Sequence, residues 1–353
     1  MTDETINIEG AVCPVPLTHN EQIVLGHGSG GKMSHDLIRK TFLAAFDNSI
    51  LRTGDDAAPI EIENAQLSIS VDSHVVTPLF FPGGDIGRLA VCGTVNDVAM
   101  LGARPLYLTA GFILEEGLPI ETLQRVVASM KAAADEAGVQ IVAGDTKVVE
   151  RGKADGLYVT TTGVGVRRAG NRVGGAEAKA GDAVLLSGPI GDHGIAVLGA
   201  RGELGFQSEI QSDVAPLNRL IEAMLDASPN VHVLRDPTRG GLATTLNEIA
   251  AQSNCCITLN EQAIPVHPAV NAACEMLGFD PLYVANEGKL VALVAAEDAG
   301  RVLTAMRATR YGEEAVLIGE VTGEPRARVL LRTAIGTTRV VDMLAGEMLP
   351  RIC

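Results

Sequence analysis

The chain has 353 residues, of which 46% are hydrophobic and 20% charged, and its formal net charge is −15. This is a globular composition, long enough for two domains, and it excludes a disordered chain. The acidic balance argues against nucleic-acid and anionic-membrane surfaces, which need clustered Lys and Arg, so neither partner is expected.

The start, MTDETINIEG, is polar and acidic and lacks the basic and apolar regions of a signal peptide. No run of eighteen or more apolar residues follows it, so no membrane span is expected and the protein is predicted to be cytoplasmic. Residues 1–22 read as an N-terminal lead-in. Next comes GHGSGGK, residues 26–32, ahead of the helical stretch SHDLIRKTFLAAF. Gly28, Gly30 and Gly31 would let backbone N–H groups approach a phosphate, and Lys32 adds charge. The spacing is not that of a Walker A loop, and a loop without a role fits it as well.

APIEIE from Ala57 and QLSISVDSHVV from Gln66 read as strands. Residues 85–101 have helical spacing, LYLTAGFIL reads as a strand, and ETLQRVVASMKAAADEAG is a helix stopped by Gly138. QIVAGDTKVV and GLYVTTTGVGV are two further strands. The pattern then breaks into Gly, Ala and charge, which places a domain boundary at about residues 170–178. Beyond it come the strand AVLLSG, the turn PIGDHG with a helix, and a long helix over 215–227. DPTRGGLATTLNEIAAQS is a Gly-rich turn opening another helix. CCITLN and KLVALVA are strands, AGRVLTAMRATRYG is a helix, and AVLIGEVTG and ARVLLRT close a sheet. The divisions expected are a first domain over 23–172, a second over 173–345 and a mobile tail over 346–353.

Several residues could carry chemistry. Asp55 and Asp56 in TGDDAA, Asp72 in VDSHVV, Asp97 in VNDVAM and Asp145 in AGDTKVV stand at apparent strand ends and turns. Hard carboxylate oxygens are what Mg²⁺ takes, usually one or two beside nucleotide phosphates. Asp is also a common turn former, so each alone fits either role. DPTRGG, with Arg239, offers either an anion site at a helix start or an N-cap built by its Asp or Thr. The six cysteines form no C-x-x-C pair and no zinc-finger spacing with histidine. Five read as small buried hydrophobes of a reducing compartment. Cys353 is different, because it is the last residue of the tail LPRIC. It cannot staple a core and is not a C-a-a-X box; it is either a chance terminal cysteine or, on a mobile tail, a covalent carrier that could reach a pocket. The seven histidines show no paired metal spacing and read as ordinary turn or surface residues.

GHGSGGK, TGDDAA, SVDSHVV, GRLAVCGTVNDVAMLGARP, AGDTKVV, the GDHG turn and DPTRGGL together resemble the ATP-binding superfamily of aminoimidazole ribonucleotide synthetase and selenophosphate synthetase. With the terminal PRIC, the chain is similar to the hydrogenase-maturation branch of that superfamily. The resemblance runs from about Ile23 to Cys353. It implies a two-lobe α/β (α+β) fold of the aminoimidazole-ribonucleotide-synthetase type, whose N-terminal lobes pair across a homodimer. It also implies ATP with Mg²⁺ on the acidic turns: Asp55, Asp56, Asp72, Asp97 and Asp145 as metal candidates, with Asp55, Asp72, Asp97, Arg239 and the Gly-rich loop toward the nucleotide.

The implied activity is ATP-dependent dehydration of an S-carbamoyl group on Cys353 to a thiocyanate, with Glu287 of ANEGK as base and Lys147 of GDTKVV polarising the group. The implied partners are a carbamoyltransferase that loads the thiol and an iron-bearing scaffold that accepts cyanide. Two rivals remain at this point: a selenophosphate synthetase, whose reactive Cys or Sec would sit beside the Gly-rich loop, and a non-catalytic scaffold presenting a cysteine to iron.

Overall fold

The computed structural model describes residues 31–43, 48–62, 65–170, 172–202, 209–344, 349 and 351–353. The lead-in, Gly28 and Gly30 lie outside the described residues, as does part of the tail. No helix among the described residues is long and apolar enough to cross a membrane.

The first half forms a five-stranded sheet. Its strands are β1 (Ala58–Ile62) and β2 (Ala65–His74), then β5 (Ala103–Glu115), β6 (Gln140–Val149) and β7 (Leu157–Arg167). A small ribbon of β3 (Phe80–Phe81) and β4 (Gly84–Asp85) lies between β2 and the first long helix. The sheet order is β1-β2-β7-β5-β6, and only the β5–β6 pair is parallel.

Helix α1 (Lys32–Leu37) runs into a π-helical turn over Ile38–Leu43, where the sequence predicted one continuous helix. Helix α2 (Ile86–Met100) is apolar nearly all round and accordingly buried nearly all round. Its start is set by Asp85, whose side chain accepts from the N–H groups of Gly87 and Arg88 and from the Ser129 hydroxyl. Helix α3 (Ile120–Ala137) shows the ordinary amphipathic spacing instead, burying Val126, Met130, Ala133, Ala134 and Ala137. It ends where Gly138 adopts a left-handed φ of 75°.

The second half forms a seven-stranded sheet in the order β14-β13-β10-β12-β8-β11-β9. These are β8 (Asp182–Leu186), β9 (Val231–Arg235), β10 (Cys256–Asn260), β11 (Val291–Ala295), β12 (Val316–Thr322), β13 (Arg328–Arg332) and β14 (Thr338–Val340). The helices are α4 (Asp192–Ala200), α5 (Asn218–Ala227), α6 (Gly241–Gln252), α7 (Pro268–Leu277) and α8 (Ala296–Arg307). The α/β expectation holds, but sequence patterning passed over β9, α7 and the short β3, β4 and β14. VHVLR is five residues buried at every position, so it carries no alternation to read. Helix α5 begins at Asn218, later than its composition suggested. The N–H groups of Ala215 and Leu217 are instead claimed by the Glu287 carbonyl and the Asn96 side chain.

That exchange also joins the halves. Asn96 of α2 accepts from Leu217 N–H and donates to the Ala215 carbonyl, while Arg88 donates to the Val214 carbonyl. Ala99 and Met100 of α2 pack in one cluster with Leu217, Leu220, Ile221 and Leu290. The two sheets therefore share a wall, and the site lies against it.

Candidate active site

A cavity of about 780 Å³ opens between the two halves, a volume suited to a nucleotide-sized ligand. One side is built by β2. Residues two apart on a strand share a face, so Ser68, Ser70, Asp72 and His74 all turn toward α2. Ser68 donates to the Val98 carbonyl, and Ser70 Oγ lies 2.7 Å from Asp97 Oδ2. Gly93 of α2 permits this close approach. A Cβ there would come within 3.2 Å of His74 Cε1 and 3.3 Å of Asp72 Oδ2. Asp55 and Asp56 enter from the loop before β1. Asp55 accepts from the Gly175 N–H at 2.7 Å, tying that loop to the connection between the sheets.

The other side is built by the end of β9, the turn before α6, and the ANEG segment. Arg235 is buried between Asp56, 2.7 Å from its Nε, and Glu248. In DPTRGG neither the Asp nor the Thr caps the helix: the N-cap is Gly240, at φ 78°, with no side-chain cap. Asp236 and Arg239 face the cavity instead. Asn286 locks the neighbouring turn by accepting from Gly191 N–H and donating to the Pro237 carbonyl. Glu287 is thereby held at 4% exposure, its N–H donating to Asp213 and its Oε1 without a protein partner. Burial first, then Asp236, Asp72 and Asp213, push the Glu287 carboxyl well above its usual range, with Arg239 acting the other way.

The tail enters this cavity. Val75 and Thr77 donate their N–H groups to a backbone oxygen of Cys353 and to the Arg351 carbonyl, so the last residues pair antiparallel with the chain that leaves β2. Ile352 is buried in the core of the first half, and the side chain of Cys353 lines the cavity. Burial pushes the Cys353 thiol up to about 12 against the pull of Arg239.

The carboxylates are crowded. Burial and then Asp72, Asp236 and Asp56 raise Asp97 well above the usual range, and burial does the same for Asp56. Among the described residues no three His, Cys, Asp or Glu side chains converge to hold a metal ion unaided. Mg²⁺ does not need such a cage, since it keeps water and phosphate oxygens beside one or two carboxylates. A cluster of acids that resist joint ionisation is the setting a divalent cation relieves, so the residues fit Mg²⁺.

The structure thus brings Asp55, Asp56, Asp72, Asp97, Arg239, Glu287 and Cys353 around one cavity. It does not bring Asp145 or Lys147 there. Both lie on β6, 72% and 71% exposed, paired with each other at 2.8 Å. Strand β6 is three strand spacings from β2, about 14 Å. Gly31 and Lys32 do not line the cavity either. Gly31 packs against the Leu344 carbonyl, which a Cβ would strike at 2.2 Å.

Sequence reasoning missed Arg235, Asp236, Glu248 and His74. His74 was read as an ordinary histidine, yet it is buried on the cavity wall with neither ring nitrogen hydrogen-bonded. Burial lowers its pKa, with Asp72 acting the other way. The signal was available in the spacing Asp72-x-His74, which puts both on one face of β2.

Residues 54–167 match the family described as AIR synthase related protein, N-terminal domain, and residues 179–332 its C-terminal domain. The chain is 59% identical over 333 residues to carbamoyl dehydratase HypE of Cupriavidus necator, covering 94% of this chain and 95% of that protein. It is 48% identical over 336 residues to carbamoyl dehydratase HypE of Escherichia coli, covering 94% and 99%. A crystal structure of hydrogenase maturation protein HypE in complex with ATP superposes with a TM-score of 0.79 at 51% identity, over 94% of this chain and 100% of that one. A HypE–HypF complex superposes at 0.83 and 51%, over 87% and 99%.

Proposed function

The chain belongs to the carbamoyl dehydratase HypE family of AIR synthase related proteins, and from that premise we propose that its own Cys353 carries the carbamoyl group that ATP dehydrates to a thiocyanate. The observation that carries this reading is the tail, seated with its thiol on the wall of an acid-lined cavity beside Arg239 and Glu287. The relatives are carbamoyl dehydratases, which sets aside the selenophosphate alternative.

The chemistry explains the residues. In S–C(=O)–NH₂ the oxygen must leave, and oxide is a very poor leaving group at neutral pH. Transfer of the γ-phosphoryl group of ATP to that oxygen converts the leaving group to phosphate. The C–O bond then breaks as nitrogen loses its protons, leaving S–C≡N, ADP and phosphate. Bound Mg²⁺, held by Asp72 and Asp97 with Asp55 or Asp56 close by, would neutralise charge on the transferring group. The tail's backbone pairing holds the carbamoyl carbon at the cavity rather than in solvent. Arg239 supplies a fixed positive charge toward the phosphates, and Glu287 takes a nitrogen proton. A carboxylate with a raised pKa is the stronger base once ionised.

Lys147 and Asp145 belong to this reading through a second copy of the chain. Among the described residues strand β6 is an edge of the sheet, and its Ile141, Val142 and Val148 are 39%, 57% and 67% exposed. An exposed apolar edge invites pairing. In a homodimer closed over β6, Lys147 would serve the partner's cavity, where it could polarise the carbamoyl group. The division of labour is then a first domain, 23–172, for ATP, Mg²⁺ and pairing, and a second, 173–345, that supplies Arg239 and Glu287.

Loading requires a carbamoyltransferase, a role supported by the relative solved as a HypE–HypF complex. The half-buried thiol faces the cavity wall, away from a second protein, so loading takes place with the tail withdrawn. An iron-bearing scaffold would then accept the cyano group. The free, buried Cys92, Cys255, Cys256 and Cys274 suit a reducing compartment, the cytoplasm.

The test is peptide mass spectrometry of protein carbamoylated at Cys353 and then given ATP. The expected result is loss of the mass of one water from the C-terminal peptide. An unchanged C-terminal peptide, or a change at another cysteine, overturns the assignment.

A further inference from the structure

The end of the chain is held at consecutive backbone oxygens, each by a donor from a different place. A backbone oxygen of Cys353 accepts the Val75 N–H at 3.0 Å, and the Arg351 carbonyl accepts from the Arg201 guanidinium beside the C-terminus of α4. Arg201 Nε also donates to the Thr77 carbonyl at 2.8 Å, so one side chain clamps both members of the pair. Between them, the Ile352 carbonyl lies 2.8 Å from Nε2 of His193, near the N-terminus of α4.

The direction of that contact is fixed. A carbonyl only accepts, so Nε2 must carry the ring proton. The neutral ring then presents Nδ1 as an acceptor, 2.8 Å from the Ser212 hydroxyl. Ser212 in turn accepts the Val214 N–H at 3.2 Å, which leaves its own proton for the ring. Donors therefore run one way, from Val214 through Ser212 and His193 to the peptide carbonyl next to Cys353. The ring is fully buried, with Phe81 edge-on at 5.5 Å between centroids. His193 of the GDHG turn is thus engaged at the tail.

Resting on the carbamoyl reading above, we propose that His193, oriented by Ser212, is the positioning residue that latches the reactive tail in the cavity through the Ile352 carbonyl. It does not touch the reacting atoms. It sets the balance between a docked tail, competent for dehydration, and a withdrawn one, competent for loading.

The experiment is alkylation of full-length protein by iodoacetamide, followed at each cysteine by peptide mass spectrometry. His193→Ala removes a buried hydrogen bond, and Cys353 is expected to label about five- to tenfold faster. His193→Gln, which retains an N–H donor, should label more slowly than His193→Ala. Ser212→Ala, which frees the ring to turn, should fall between wild type and His193→Ala. The buried Cys256 and Cys274 report global unfolding, and any variant in which they stay protected is a valid reading.

Cys353 labelling at the wild-type rate in both His193→Ala and Ser212→Ala overturns the latch. Equal labelling in His193→Gln and His193→Ala overturns the hydrogen bond as its cause. Because labelling needs neither ATP nor a carbamoyl donor, a latch that behaves as described in a protein that never forms thiocyanate would leave the latch standing and remove the catalytic assignment.

Discussion

Replacing Glu287 by Gln tests the base and the electrostatics of the site together. The change is isosteric. Because Oε1 has no protein partner, the amide breaks no bond that the carboxyl makes there. The fold should therefore survive. What is lost is a proton acceptor, and general base catalysis is worth about 10²–10⁴-fold, or roughly 3–5 kcal/mol of barrier. Single-turnover dehydration of the Cys353 carbamoyl group, followed by peptide mass spectrometry, should slow by that factor, with ATP still bound. In wild type the rate should climb as pH rises above the ordinary carboxylate range, because the raised pKa delays formation of the base. In E287Q that limb should be absent.

Stability moves the other way. A carboxyl whose folded pKa is raised contributes stability that is full below its unfolded pKa and is lost as pH rises through the folded value. Gln has nothing to lose, so the margin of E287Q over wild type in urea melts should widen from pH 5 to pH 8. Thiocyanate formation in E287Q within about threefold of wild type would remove Glu287 as the base. A margin independent of pH would refute the electrostatic argument.

Further outcomes are expected. Arg235→Met takes the guanidinium from the half-buried Asp56 and Glu248, of which Glu248 keeps His35, and should cost about 3 kcal/mol by denaturant titration. With the guanidinium gone, the Asp56 carboxyl is raised further, so that deficit should shrink as pH falls into the carboxylate range; a deficit constant from pH 8 to pH 5 would exclude the charge explanation. Val142→Lys with Val148→Lys places like charges along the β6 edge and should convert a dimer to a monomer by analytical ultracentrifugation, while an unchanged dimer would move the interface elsewhere. Co-expressed Lys147→Ala and Glu287→Gln chains should recover about a quarter of wild-type turnover, because half the dimers are mixed and each has one intact site. No recovery would show that Lys147 does not act across the dimer.

What the amino-acid order determined is largely what is local. Alternation along QLSISVDSH and helical spacing over 85–101 are properties of neighbours, so the elements that carry Asp72 and Asp97 were legible. The acidic turns, Arg239, ANEG and the terminal cysteine were legible as motifs because each is contiguous. Segments buried at every position, such as VHVLR, hid their strand because full burial erases the period.

Tertiary structure alone decided which distant groups meet. It set Arg235 between Asp56 and Glu248, left His74 unpartnered on the cavity wall, and carried Lys147 to the far edge of the sheet from Asp72. It also set the latch, since a histidine at 193 and a carbonyl at 352 become neighbours only when the chain doubles back. The physical reason is one of range. Backbone periodicity acts over two to four residues, whereas desolvation, ion pairing and hydrogen-bond direction depend on contacts between segments far apart in the chain.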